Sequence, residues 1–105
     1  MTIYEHKTSM TTSGSTVSTM TLPIRGGLCR FVYIKANTAT TVFRANLQDE
    51  DGDNILDWGF STGMLNETGI AVPVSGRHTL QITNVSAGGG AAGNDTFKIK
   101  IRVQE

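Results

Sequence analysis

The densest cluster of potential ligands in the chain is Asp49-Glu50-Asp51-Gly52-Asp53. Carboxylates at 49, 51 and 53 match the opening spacing of a calcium loop. In an EF-hand, however, Gly falls at the sixth position and a bidentate Glu at the twelfth. Counting from Asp49, Gly52 is fourth and Phe60 is twelfth, so the EF-hand is excluded. Asp49, Asp51 and Asp53 remain weak candidates for a looser hairpin site, and a solvated acidic turn is the simpler reading. The expectation is a chain that needs no metal and no cofactor.

Other reactive side chains are scattered. His6 and His78 have no ligand-spaced neighbours, whereas a metal centre needs three or four convergent groups. Both read as surface or strand-edge residues. Gly59-Phe60-Ser61-Thr62-Gly63 has the Gly-x-Ser-x-Gly spacing, but no helical stretch follows it as a nucleophile elbow requires, and no phosphate-cradling glycine loop precedes a helix. Cys29 is the single cysteine and sits inside the apolar run from Leu28 to Ile34, which fits a small buried hydrophobe better than a reactive thiol. The expectation is a protein that is not an enzyme.

Two features suit binding. Trp58, Tyr33 and Tyr4 could act as stacking platforms for a sugar, although Trp58 alternates in phase with Leu56 and Phe60, as a core residue would. Lys98, Lys100 and Arg102 form a basic stripe on one side of the last strand. Such a stripe is usually a solvated face, and it could also meet an acidic partner.

The elements that position these residues are strands. Thr40 to Phe60 reads as a hairpin, with Phe43, Ala45 and Leu47 alternating on one arm and Leu56, Trp58 and Phe60 on the other. Asp51-Gly52 supplies the positive φ that its turn requires. Further strands are expected at 2–8, 17–24, 28–36, 70–74, 78–85 and 96–103, with a break at Gly26-Gly27 and loops at 61–68 and 86–94. No stretch shows helical periodicity. Eight short antiparallel strands imply an all-β sandwich or barrel, and the count favours a jelly-roll-like sandwich over a closed barrel.

Composition limits the partners. A chain of 105 residues holds one core. Lys plus Arg equal Asp plus Glu, nine to nine, so there is no global basic excess of the kind nucleic-acid binders show. No apolar run approaches the ~20 residues of a membrane span, and the first residues lack the apolar core of a signal peptide. The expected setting is synthesis in a host cytoplasm, with no membrane and no nucleic-acid partner.

The segment 1–21 is rich in Ser and Thr, with Ile3, Tyr4, Met10 and Val17 as its few anchors, and reads as an N-terminal arm preceding a sandwich at 22–105. Ordering it costs about 1–2 kcal/mol per residue for the backbone alone. The strand from Leu28 to Ile34 carries apolar side chains on both faces, Leu28, Val32 and Ile34 on one and Cys29, Phe31 and Tyr33 on the other. Either a partner subunit or the chain's own N-terminal arm could cover the second face of that strand, and the reading taken is a homo-oligomer in which other chains order the arm. The expected interface residues are Ile3, Tyr4, Val17, Phe31, Tyr33, Lys98, Lys100 and Arg102.

The run Leu22 to Asn37, the stretch Trp58-Gly59-Phe60-Ser61-Thr62-Gly63 and the ending Asp95 to Glu105 resemble small virion structural proteins of tailed bacteriophages. From Phe43 to Val103 the strand order is also similar to the jelly-roll domains that follow the catalytic part of secreted bacterial peptidases. The first resemblance implies a capsid decoration or cement protein, or a tail component, located in the virion and bound to the major capsid or other virion proteins. The alternative is a carbohydrate-binding module or receptor-binding appendage. Neither resemblance transfers a functional residue.

Overall fold

The computed structural model describes residues 2–12, 17–86 and 95–105. Its elements are β1 (Ile3–Thr11), β2 (Val17–Ala36), β3 (Val42–Gln48), β4 (Asn54–Thr62), β5 (Met64–Glu67), β6 (Val72–Ser86) and β7 (Thr96–Gln104). All pairings are antiparallel, in the order β1-β7-β2-β6-β3-β4, with β5 attached to β2. The all-β, antiparallel, sandwich-like fold expected from alternation is present.

The sheet folds over on itself through β2. The first part of β2 pairs with β6, and the part from Leu28 onward pairs with β7. Phe43 of β3 and Phe97 of β7 are three strands apart in the sheet order. Their rings nonetheless meet edge to face at 5.0 Å, as opposite walls of one core. Val32, Ile34, Leu47, Leu80, Ile82, Ile99, Ile101 and Val103 fill the space between them. Each such side chain contributes roughly 1.5–3 kcal/mol relative to exposure.

Among the described residues seven strands are formed, against the eight or so expected. Gly26-Gly27 does not end a strand; it bends one. The register shifts between Ile24 and Gly27, and a Cβ on Gly27 would lie 2.5 Å from the Gln104 carbonyl oxygen. Only glycine lets the corner of β2 approach the end of β7 that closely. In the same way 70–74 and 78–85 merge into β6, through Gly76 at φ +79° rather than a turn. The loop expected at 61–68 contains β5, whose backbone pairs with Val32–Lys35.

The boundary expected after residue 21 falls inside β2. β1 pairs with β7 along its whole length, from Ile3–Gln104 to Thr11–Thr96, so the same chain supplies the backbone partners that the arm was expected to find on others. The expected loop at 86–94 lies, apart from Ser86, outside the described residues.

Two bulges reset the alternation. On β2, Cys29 is opposite Val103 and Phe31 opposite Arg102, which leaves Arg30 as an extra residue. Cys29 therefore turns inward with Val32 and Ile34, and Phe31 and Tyr33 turn outward. On β4, Arg44 is opposite Phe60 and Asn46 opposite Asp57, with Gly59 at φ +67° in the excess. Leu56 and Trp58 pack on the core, but Phe60, expected inside, is 67% exposed beneath the Arg44 guanidinium. A one-residue bulge exchanges the two faces of everything beyond it.

Candidate interaction face

Register determines which side chains share the outer face of the β1-β7-β2-β5 layer. Glu5, Arg102 and Phe31 form one row across it; Lys7, Lys100 and Tyr33 form the next, continued by Asn66 of β5. Ser9, Lys98, Lys35 and Met64 form a third. Ile3, opposite Gln104, is in the same phase. The face thus holds five cations, Lys7, Lys35, Lys98, Lys100 and Arg102, and one carboxylate, Glu5, a surplus of four positive charges in a chain of net charge zero.

The aromatic pair beneath these cations is flat. The Phe31 and Tyr33 rings lie within 5° of parallel with centroids 6.4 Å apart. The Arg102 guanidinium carbon sits 4.5 Å from the Phe31 centroid and the Lys100 ammonium 5.4 Å from that of Tyr33. Quadrupolar attraction holds each cation over its ring. Arg102 Nε also donates to Glu5 Oε2 at 2.6 Å, and Lys7 Nζ is 3.3 Å from Glu5 Oε1. Hydrogen bonding from Arg102 is the main influence holding the Glu5 carboxyl below its ordinary value. Lys35 and Lys98 have no carboxylate partner among the described residues.

The opposite layer is organised differently. There Asn46 donates to Asn54 Oδ1 at 2.8 Å and to Gln81 Oε1 at 3.0 Å, and Gln48 donates to Asn54 at 3.1 Å. Arg44 pairs with Asp57 at 2.9 Å. Its polar groups satisfy one another, whereas the first face holds an uncompensated charge.

The sequence-predicted interface residues divide accordingly. Ile3, Phe31, Tyr33, Lys98, Lys100 and Arg102 share the cationic face. Tyr4 is opposite Val103 on the inner face, and the side chain of Val17 lies outside the described residues. Lys7 and Lys35 were missed, because only pairing with β7 brings them beside the stripe. Ile3 and Met64, 59% and 48% exposed, add apolar surface to its margin. Of the sugar-stacking candidates, Trp58 packs on the core, Tyr4 faces inward and the Tyr33 ring lies beneath Lys100.

The other candidates have structural surroundings. Asp49, Asp51 and Asp53 place carboxylate oxygens within 4.8 Å of one another. Asp49 Oδ1 accepts the Asp51 and Asp53 amides at 2.9 and 3.0 Å, so this carboxylate closes the turn itself. His6 lies on the edge strand β1, whereas His78 lies on the interior strand β6. His78, in phase with Leu80 and Ile82, is 2% exposed with Nδ1 3.2 Å from the Gly76 carbonyl oxygen. His6 Nε2 is buried without a hydrogen-bond partner. Neither imidazole is hydrogen-bonded to a serine or a carboxylate among the described residues. Cys29 is fully buried, and burial pushes its thiol up.

One polar knot gave no signal in the sequence. The Asp95 carboxylate accepts the Thr41 hydroxyl at 2.6 Å and the Thr38 and Thr96 amides at 3.1 and 2.8 Å, while Thr12 pairs with its backbone. Burial pushes the Asp95 carboxyl up, but these hydrogen bonds outweigh it and hold the carboxyl below its ordinary value.

No protein-family model matches the sequence, and no curated protein is significantly similar to it. Solved structures share the fold at low identity. The chain is similar to FlhE over 98% of both chains, at 12% identity and a TM-score of 0.57. It is similar to a subunit of the disulfide-linked Bacillus endospore appendages over 98% of this chain and 88% of that one, at 18% identity and 0.50. It is also similar to Aeromonas hydrophila PliG, a periplasmic inhibitor of g-type lysozyme, over 97% and 86%, at 16% identity and 0.51. At these identities the likeness establishes the architecture.

Proposed function

We propose that this chain is a non-catalytic structural protein of a virion, one that decorates or cements a phage capsid, and that it works by adhesion through the cationic face. The observation that carries this reading is the uncompensated charge of that face. Lys7 stands opposite Lys100, and Lys98 opposite Lys35. Like charges directly opposite on a sheet are destabilising. Folding alone gains nothing from two such pairs, whereas an acidic partner surface would turn the repulsion into attraction and specificity.

The size of the face fits a multi-copy assembly. At ~3.3 Å per residue and ~4.8 Å per strand it measures roughly 30 by 15 Å, on the order of 450 Å². Stable interfaces bury about 800 Å² per partner. A single contact of this kind is weak, and repeated contacts on a shell or in an oligomer would supply the missing affinity.

The test is co-purification with intact capsids. Wild-type protein is expected to sediment with capsids at low salt and to be released as salt rises, since exposed charge pairs are screened. Failure of the wild-type chain to associate with capsids under any ionic condition would remove the virion reading.

A further inference from the structure

We propose that the occupant of the cationic face is a second copy of this chain, seated through its β3–β4 turn. The proposal rests on the adhesive reading above and names its partner. The charge distribution supports it. The face carries a surplus of four positive charges. Four carboxylates, Asp49, Glu50, Asp51 and Asp53, lie within five consecutive residues of the turn. The remaining ionisable side chains, Arg25, Arg30, Arg44 and Arg77 against Asp57, Glu67, Asp95 and Glu105, cancel four against four. A neutral chain is thus divided into a positive patch, an equally charged negative one and a balanced remainder.

The turn is built to dock without reorganising. Asp49 closes it through the Asp51 and Asp53 amides, and the Gly52 amide donates to the Asp49 carbonyl at 3.1 Å. Glu50 Oε1 accepts the Arg77 amide at 2.9 Å, which fastens the turn to β6. Asp51 and Asp53 remain exposed. A preformed turn loses little conformational entropy on binding. On the receiving side, a pocket of about 150 Å³ opens between Lys35 and Lys98, floored by Ala36, Asn37 and Thr96, and has room for a carboxylate. Its two ammonium groups are the ones that lack a partner. A contact between two different patches is head-to-tail, so copies joined this way close into a ring or grow as a filament.

The experiment uses the full chain and two charge reversals. One is Lys98→Glu/Lys100→Glu on the face; the other is Asp51→Lys/Asp53→Lys on the turn, which leaves Asp49 and its hydrogen bonds in place. Thermal melts confirm that each variant folds, and sedimentation velocity reads assembly. Wild type is expected to self-associate in a salt-sensitive way, and each variant to weaken self-association at least tenfold. An equimolar mixture of the two variants is expected to assemble again, because each then offers the charge that the other lacks. A mixture that stays monomeric, or a turn variant that assembles like wild type, overturns the proposal. The adhesive reading fails separately. If wild type is monomeric but only the face variant loses capsids, the face belongs to a capsid subunit and the second-copy inference falls. If the face variant binds capsids as wild type does, the adhesive reading itself falls.

Discussion

Arg102 lies with its guanidinium carbon 4.5 Å from the centre of the Phe31 ring, on the outer face of a sheet whose opposite side is the core. The same arginine donates to Glu5 across to β1. Three strands thus hold one cation in place at the surface. Phe31→Ala should leave the fold intact and weaken partner binding by about 0.5–1 kcal/mol, the size of an exposed cation–π contact. Measuring binding of the variant in parallel with its melting temperature separates the two effects.

Lys98 stands opposite Lys35. Lys98→Glu replaces a repulsive cross-strand pair with an attractive one, so the isolated protein should become more stable by about 0.2–1 kcal/mol while its assembly weakens. Denaturant titration beside sedimentation tests this. A variant that loses stability would show that the cationic face serves the fold rather than a partner.

Asp95 predicts the acid limit of the fold. Its carboxyl is held below its ordinary value in the folded chain. The stability it contributes is therefore fully present above the unfolded pKa, near 3.9, and is lost as pH falls through the lower folded value. Asp95→Ala strands the Thr41 hydroxyl and two amides and should cost about 1–3 kcal/mol near neutrality. Urea midpoints from pH 7 to pH 2 measure both effects. A variant whose acid profile matches that of wild type would contradict the assignment.

Much of this fold is written in alternation. Phe97, Ile99, Ile101 and Val103 turn inward as their spacing implies, and so do Phe43, Ala45 and Leu47. Phe60 and Cys29 break the pattern for a reason that local spacing does not carry. A single extra residue, Arg30 or Gly59, exchanges the faces beyond it, and only the partner strand reveals it. The candidate face was half legible for the same reason. Lys98, Lys100 and Arg102 alternate along one strand, whereas Lys7 and Lys35 come from strands far away in sequence. Asp95 was invisible because its partners, Thr12, Thr38 and Thr41, resemble every other threonine in a threonine-rich chain.

The acidic turn gives a fourth prediction. Its amides are satisfied by Asp49, so chelation with EDTA should leave the melting temperature unchanged, while Asp49→Ala should lower stability by about 0.5–1.5 kcal/mol. A drop of several degrees with EDTA, reversed by calcium, would make Asp49, Asp51 and Asp53 a cation site. Melting curves with and without chelator decide the point.

The cationic face as an adhesive surface is the central claim, and co-sedimentation with intact capsids at low ionic strength tests it most directly. Wild-type chain should pellet with the particles, and Lys98→Glu/Lys100→Glu, folded by its melting curve, should stay in the supernatant. Equal pelleting of the two, or a wild-type chain that never pellets, would contradict the account.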